Sequence, residues 1–160
     1  MDFLLSCYSS LTLSFFLLII FTGVSGTILT VVNNCDYTVW PGIYNAGGPI
    51  LDSRGFELTQ GSSRSFQAPT GWNGRFWGRT GCNFNASGQG SCATGGCRSG
   101  QIECNDMDLA TPVTMAEFSL GLTNGQDSYD ISLVDGFNLS MRIEGRGGQG
   151  TCLFPECVND

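Results

Sequence analysis

The sequence predicts an all-β domain, an antiparallel sandwich or flattened barrel. Three observations carry that expectation. Short runs of β-branched and aromatic residues recur along the chain, Gly-, Pro- and Asn-rich turns separate them, and no stretch sustains the apolar period of a helix. With 160 residues, 41% of them hydrophobic, the chain is long enough for one domain with a modest core.

The predicted elements follow in order. Thr27 to Val32 (TILTVV) is a β-branched opening strand, broken by Asn33-Asn34. Tyr37 to Trp40 is a second, closed by Pro41-Gly42, and Gly47-Gly48-Pro49 marks a further turn. Arg64 to Gln67 is a weak strand between Gly61-Ser62-Ser63 and Pro69. Trp72 to Arg79 (WNGRFWGR) sets aromatics among glycines, which suits a twisted or bulged strand. Gly81 to Gly100 is too rich in glycine to bury much, so disulfides are expected to define its shape. Met115 to Leu120 alternates, with Ala116, Phe118 and Leu120 on one face and Met115, Glu117 and Ser119 on the other. Tyr129 to Leu133 and Phe137 to Ile143 flank Val134-Asp135-Gly136 and are expected to pair as a hairpin with Asp-Gly in its turn.

Residues 1–26 differ from the rest. Phe3 to Phe21 is apolar and uncharged, and Val24 and Gly26 fit the small-residue positions of a signal-peptidase site. A secretory leader cleaved after Gly26 is expected, leaving residues 27–160 as the β domain. The rival reading, an uncleaved membrane anchor, fits less well with the Ser and Thr content and the small residues that follow. No stable membrane insertion is expected once the leader is gone.

Losing the leader removes one acid, Asp2, and none of the arginines, so the remaining chain is still acidic; the full chain carries a formal charge of −7. An acidic protein with no basic run offers nothing to nucleic acid or anionic lipid. Histidine is absent, which excludes Ser-His-Asp and Cys-His triads and every His-containing zinc site. Eight cysteines are present, and all but Cys7 lie beyond the leader. In a secreted chain they indicate a disulfide framework. The spacing of Cys82, Cys92, Cys97 and Cys104 lacks the paired knuckles of a structural zinc site. Neither metal nor cofactor is expected. The remaining count is odd, so at least one thiol stays free or pairs outside this chain.

Arg79, Glu117, Asp130 and Asp135 recur near aromatic or aliphatic neighbours on the predicted strands. The bland reading is that each acid solvates a strand face. Gathered together, carboxylates with one arginine could instead hold sugar hydroxyls or cleave a glycosidic bond. Trp40, Tyr44, Trp72 and Trp77 could stack on sugar rings, or be core. Asn85-Ala-Ser87 and Asn138-Leu-Ser140 match the N-glycosylation pattern. Asn85 sits in a polar loop and Asn138 in a predicted strand, where its backbone is less available.

The segments TILTVVNNCDYTVWPGI, FWGRTGCNF, GQGSCATGGCRSGQIEC, TMAEFSL and YDISLVDGFNLSM together resemble the thaumatin-like proteins, the plant pathogenesis-related group five. The likeness covers the chain beyond the leader. One departure is Gly96, where the family usually carries an acid. The resemblance implies a flattened antiparallel β-sandwich of about ten or eleven strands. It implies disulfides Cys82–Cys92 and Cys97–Cys104, with the partners of Cys35, Cys152 and Cys157 in a second disulfide-rich domain before which this chain stops. It implies an acidic cleft built from Arg79, Glu117, Asp130 and Asp135, with Glu117 as proton donor, an aspartate as nucleophile or base, and Arg79 orienting a carboxylate or a sugar hydroxyl. The implied role is a secreted, monomeric, extracellular defence protein that binds β-1,3-glucan or fungal cell-wall polysaccharide, in the apoplast or cell wall. The alternatives are weak endo-β-1,3-glucanase activity, or a truncated product without activity of its own.

Overall fold

The computed structural model describes residues 26–105, 108–148 and 154–157. Apart from Gly26, the expected leader lies outside the described residues, as does Cys152. Among the described residues there are ten strands and no helix: β1 (Gly26–Val32), β2 (Trp40–Gly47), β3 (Ser63–Pro69), β4 (Asn73–Arg79), β5 (Asn83–Phe84), β6 (Gly90–Ser91), β7 (Met115–Ser119), β8 (Ser128–Ser132), β9 (Met141–Arg142) and β10 (Glu156–Cys157). The largest sheet runs β2-β4-β7-β8, and β1 pairs with β3, β5 with β6 and β9 with β10. Every pairing is antiparallel.

Alternation makes this a sandwich. In β3, Phe66 and Ala68 turn inward, joined by Leu29 and Val31 of β1. They meet Ile43 of β2, Phe76 of β4 and Ala116 of β7, so the two sheets bury one face of each against the other. The rings of Phe56, Phe66 and Phe76 run through this core with centroids 5.5 and 5.8 Å apart. On the opposite face of the four-stranded sheet lies a second cluster, in which Trp77 and Met115 pack with Val113, Cys97 and Cys104.

Two expectations about strands need correction. Pro41-Gly42 does not end a strand; it lies inside β2. The Pro41 carbonyl accepts from Phe56 N at 3.1 Å, on the side away from β4, so the missing N–H also faces that outer edge and breaks no bond to β4. Gly42 lies opposite Trp77, and a Cβ there would run into the Trp77 indole ring. The second correction concerns the hairpin. Gly136 N donates to Leu133 O at 3.0 Å, closing the turn, but the chain does not return alongside β8. Strand β8 pairs with β7, and only Met141–Arg142 of the expected partner is a strand, paired with β10.

Arg79, expected in an acidic cleft, is fully buried. Its Nε donates to Trp40 O at 2.8 Å, Nη1 to Gln101 O at 3.0 Å, and Nη2 to Pro41 O at 3.2 Å and Ile102 O at 2.6 Å. The guanidinium therefore ties the start of β2 to the loop closed by Cys97 and Cys104, and has no surface left for a ligand. Burial lowers its pKa to about 10, opposed by the nearby Glu103 carboxylate, so it stays charged at neutral pH. Glu103 is itself occupied, accepting from Ser53 Oγ at 3.0 Å and Arg54 N at 2.6 Å.

Chemical denaturation checks these assignments. Arg79→Ala removes a buried side chain and leaves the carbonyls of Trp40, Pro41, Gln101 and Ile102 without its donors, and is expected to cost about 3–5 kcal/mol. Gly42→Ala overpacks Trp77 and is expected to cost about 1–3 kcal/mol. An unchanged midpoint in either variant contradicts the packing described.

Candidate functional site

The site follows from register. Tyr44 lies opposite Arg75, Arg75 opposite Glu117, and Glu117 opposite Asp130, so one row of side chains crosses β2, β4, β7 and β8 on one face. Two residues along the strands, Asn73, Ser119 and Ser128 form a second polar row. Two residues the other way, Trp77 and Met115 form a buried row. One face of one sheet is thus core at one end and open at the other.

At the open end is a shallow depression of about 210 Å³, lined by Arg75, Glu117 and Asp130 of the first row and by the whole second row, together with Gly74 and Phe118. Arg75 Nε lies 2.9 Å from Glu117 Oε1, with the two side chains 38% and 29% exposed. A pair this open to water contributes about 0–1 kcal/mol to stability. Its significance is orientation: it fixes a carboxylate and a guanidinium side by side, facing out. Asn73 Nδ2 donates to Ser119 Oγ at 3.1 Å, ordering the second row in the same way. Asp130 is exposed on the edge strand. Directly opposed residues on neighbouring strands hold their Cβ atoms about 4.5–5.5 Å apart, so Glu117 and Asp130 rise side by side from one face.

The expected site residues divide accordingly. Glu117 and Asp130 are brought together. Asp135 is exposed in the turn after β8, its carbonyl accepting from Val113 N at 3.0 Å, and it is not among the residues lining the depression. Arg79 is buried, and the arginine at the surface is Arg75. Both arginines have the same strand parity, so alternation alone could not choose between them. Pairing Arg75 with Glu117 across the β4–β7 ladder was the missing signal. The aromatics divide too: Trp72 and Trp77 are core, while Tyr44 is half-buried at the end of the Arg75 row.

Cys82 is joined to Cys92 and Cys97 to Cys104. Among the described residues Cys35 and Cys157, both half-buried, have no disulfide partner. Asn85 is exposed, whereas the Asn138 side chain is engaged by backbone and by Thr94. Among the described residues no three Cys, Asp or Glu side chains come together as a metal site.

Comparison with known proteins fits this architecture. The Thaumatin family model matches residues 33–160. The chain is 51% identical over 158 residues to Thaumatin-like protein 1 of Arabidopsis thaliana, covering 94% of this chain and 61% of that protein. It is 50% identical over 147 residues to Pathogenesis-related protein 5 of the same plant, covering 91% and 60%. It is 46% identical over 138 residues to a protein of Prunus avium named glucan endo-1,3-beta-glucosidase, covering 86% and 56%. The chain therefore spans about 60% of the length of the curated relatives it matches. Among solved structures, a thaumatin-like xylanase inhibitor superposes with a TM-score of 0.58 at 37% identity, covering 71% of this chain and 72% of that one. Sequence and overall fold agree, and the chain belongs to the Thaumatin family.

Proposed function

We propose that this chain is a secreted plant defence protein that binds β-1,3-glucan across the open polar face of the β2-β4-β7-β8 sheet. The observation that carries the reading is the row Arg75–Glu117–Asp130, two acids and an arginine held in register on an accessible surface. An ion-paired carboxylate beside a guanidinium offers strong acceptors and donors together. Those are the groups that sugar hydroxyls need. Membership of a family with pathogenesis-related relatives supports the defence role, and the apolar leader supports an extracellular location in the apoplast or cell wall. A monomer suffices for this site.

A second reading is weak endo-β-1,3-glucanase activity, favoured by the name of the Prunus avium relative. Glu117 would then protonate the leaving oxygen, and Asp130, which faces it in register, would act as nucleophile or base in place of the more distant Asp135.

Retention on insoluble β-1,3-glucan tests the first reading. The secreted chain is expected to be retained, and Glu117→Gln and Asp130→Asn to weaken retention about tenfold or more, equivalent to about 1.4 kcal/mol each. Passage of folded protein straight through, or retention unaffected by both substitutions, defeats it. For the second reading, release of reducing ends from soluble glucan should vanish in Glu117→Gln; release that persists removes Glu117 from the chemistry.

A further inference from the structure

The two Asn-X-Ser triplets occupy opposite situations. Asn85 follows β5 at the tip of the β5–β6 hairpin, which Cys82–Cys92 closes. It is exposed, and its Oδ1 accepts from Ser87 N at 3.0 Å, Gln89 N at 3.0 Å and Ser87 Oγ at 2.7 Å. All three of these bonds use the oxygen and none the Nδ2. The triplet's hydroxyl already sits against the amide that would be modified.

Asn138 has the reverse arrangement. Its Oδ1 accepts from Thr114 N at 2.9 Å, and its Nδ2 donates to Gly78 O at 2.9 Å and Thr94 Oγ1 at 2.8 Å. Its own N donates to Thr114 Oγ1 at 3.2 Å. The β4–β7 ladder ends at Trp77 opposite Met115, and continuing the register would place Gly78 opposite Thr114. Where the two strands part, the Asn138 amide stands between them as one extra peptide-like unit, satisfying a carbonyl on one side and an N–H on the other. Thr114 is fully buried. Leu139 packs so closely on Gly78 that a Cβ there would meet its methyl group.

We infer that the chain carries an N-linked oligosaccharide on Asn85, and that Asn138 is a seam-closing residue whose modification is incompatible with the native sheet. The inference rests on the reading that the chain enters the secretory pathway. There, a lipid-linked pyrophosphate oligosaccharide supplies the sugar. Its C1–O bond to the pyrophosphate breaks, a C1–N bond forms to Nδ2, one proton leaves Nδ2, and the lipid pyrophosphate departs, with no change in oxidation state. An asparagine so modified keeps a single N–H. At Asn85 nothing is lost. At Asn138 one of two part-buried acceptors, Gly78 O or Thr94 Oγ1, would lose its donor, and the sugar would have to stand inside the seam. The Asn85 hairpin follows the Arg79 end of β4, whereas the polar rows begin at its Asn73 end, so a glycan there leaves the proposed glucan face uncovered.

The experiment is expression of the full chain in plant cells, followed by intact mass and site mapping by enzymatic deglycosylation in ¹⁸O-water. Secreted protein is expected to carry one glycan, on Asn85. Asn85→Gln should be secreted without a glycan and bind glucan as before. Ser140→Thr, which makes the Asn138 triplet a better acceptor while keeping the hydroxyl, should still yield secreted protein unmodified at Asn138. Asn138→Gln, whose longer side chain misfits the seam, should cut the secreted yield several-fold. An unmodified Asn85 in secreted protein, or folded secreted protein modified at Asn138, overturns the inference. Failure of the chain to leave the cell speaks against the secretion reading alone, and the mapping is then read on the same chain behind a proven leader.

Discussion

The pleat of β4 and β7 governs everything else in this molecule. Along β4, Phe76 turns into the sandwich core while Arg75, Trp77 and Arg79 turn to the opposite face. Along β7, Ala116 turns inward while Met115 and Glu117 turn out to meet Trp77 and Arg75. A slip of one residue between the strands would place a guanidinium opposite an alanine in the core and an aromatic ring in water. The same register that fills the core therefore aligns the acids. Stability and site geometry are one constraint seen from two sides of a sheet.

What divides the outer face into a buried and an open half is the disulfide-rich loop. Cys97 and Cys104 lie over Trp77 and Met115, and Arg79 binds that loop through Gln101 and Ile102 while holding β2 through Trp40 and Pro41. One guanidinium, with five fixed donors, thus satisfies carbonyls from two segments that share no continuous ladder. Isolated β-bridges such as Thr80 to Thr94 and Cys97 to Leu109 extend the attachment only locally. Beyond the reach of this loop the face is free, and Arg75 and Glu117 emerge there.

These relations explain which features were legible in the sequence. MAEFSL, with its clear alternation, declares both its existence and its inward face, whereas TILTVV declares only a strand: Leu29 and Val31 face the core while the equally apolar Ile28 and Val32 are exposed. Parity also placed Glu117 away from the core. Covering is different: whether Arg75 or Arg79 is exposed depends on a loop some twenty residues later in the chain folding back, and no local pattern in WNGRFWGR encodes it. Pro41-Gly42 misled for a related reason. A proline ends a strand where its missing N–H breaks the main ladder, but Pro41 turns that position away from β4, toward the 54–58 segment, and which side a residue turns to is a property of the finished sheet. The Asp135-Gly136 turn is real, yet Asn138 plugs the β4–β7 seam just beyond it and carries the chain away from β8. A single polar side chain outcompeted a plausible hairpin.

The shape of the open face also bears on what it can hold. Small-molecule sites are enclosed and mostly apolar, commonly about 300–1,000 Å³. Here the depression is near 210 Å³, shallow and lined almost wholly by polar groups, with its large aromatics spent in the core. A compact ligand would bury little of itself and gain little from stacking. A ligand that crosses several rows gains from each, because donors and acceptors repeat at the interstrand spacing of about 4.8 Å and successive contacts on one chain become intramolecular. An extended polyhydroxyl chain meets that requirement, and a free monosaccharide does not.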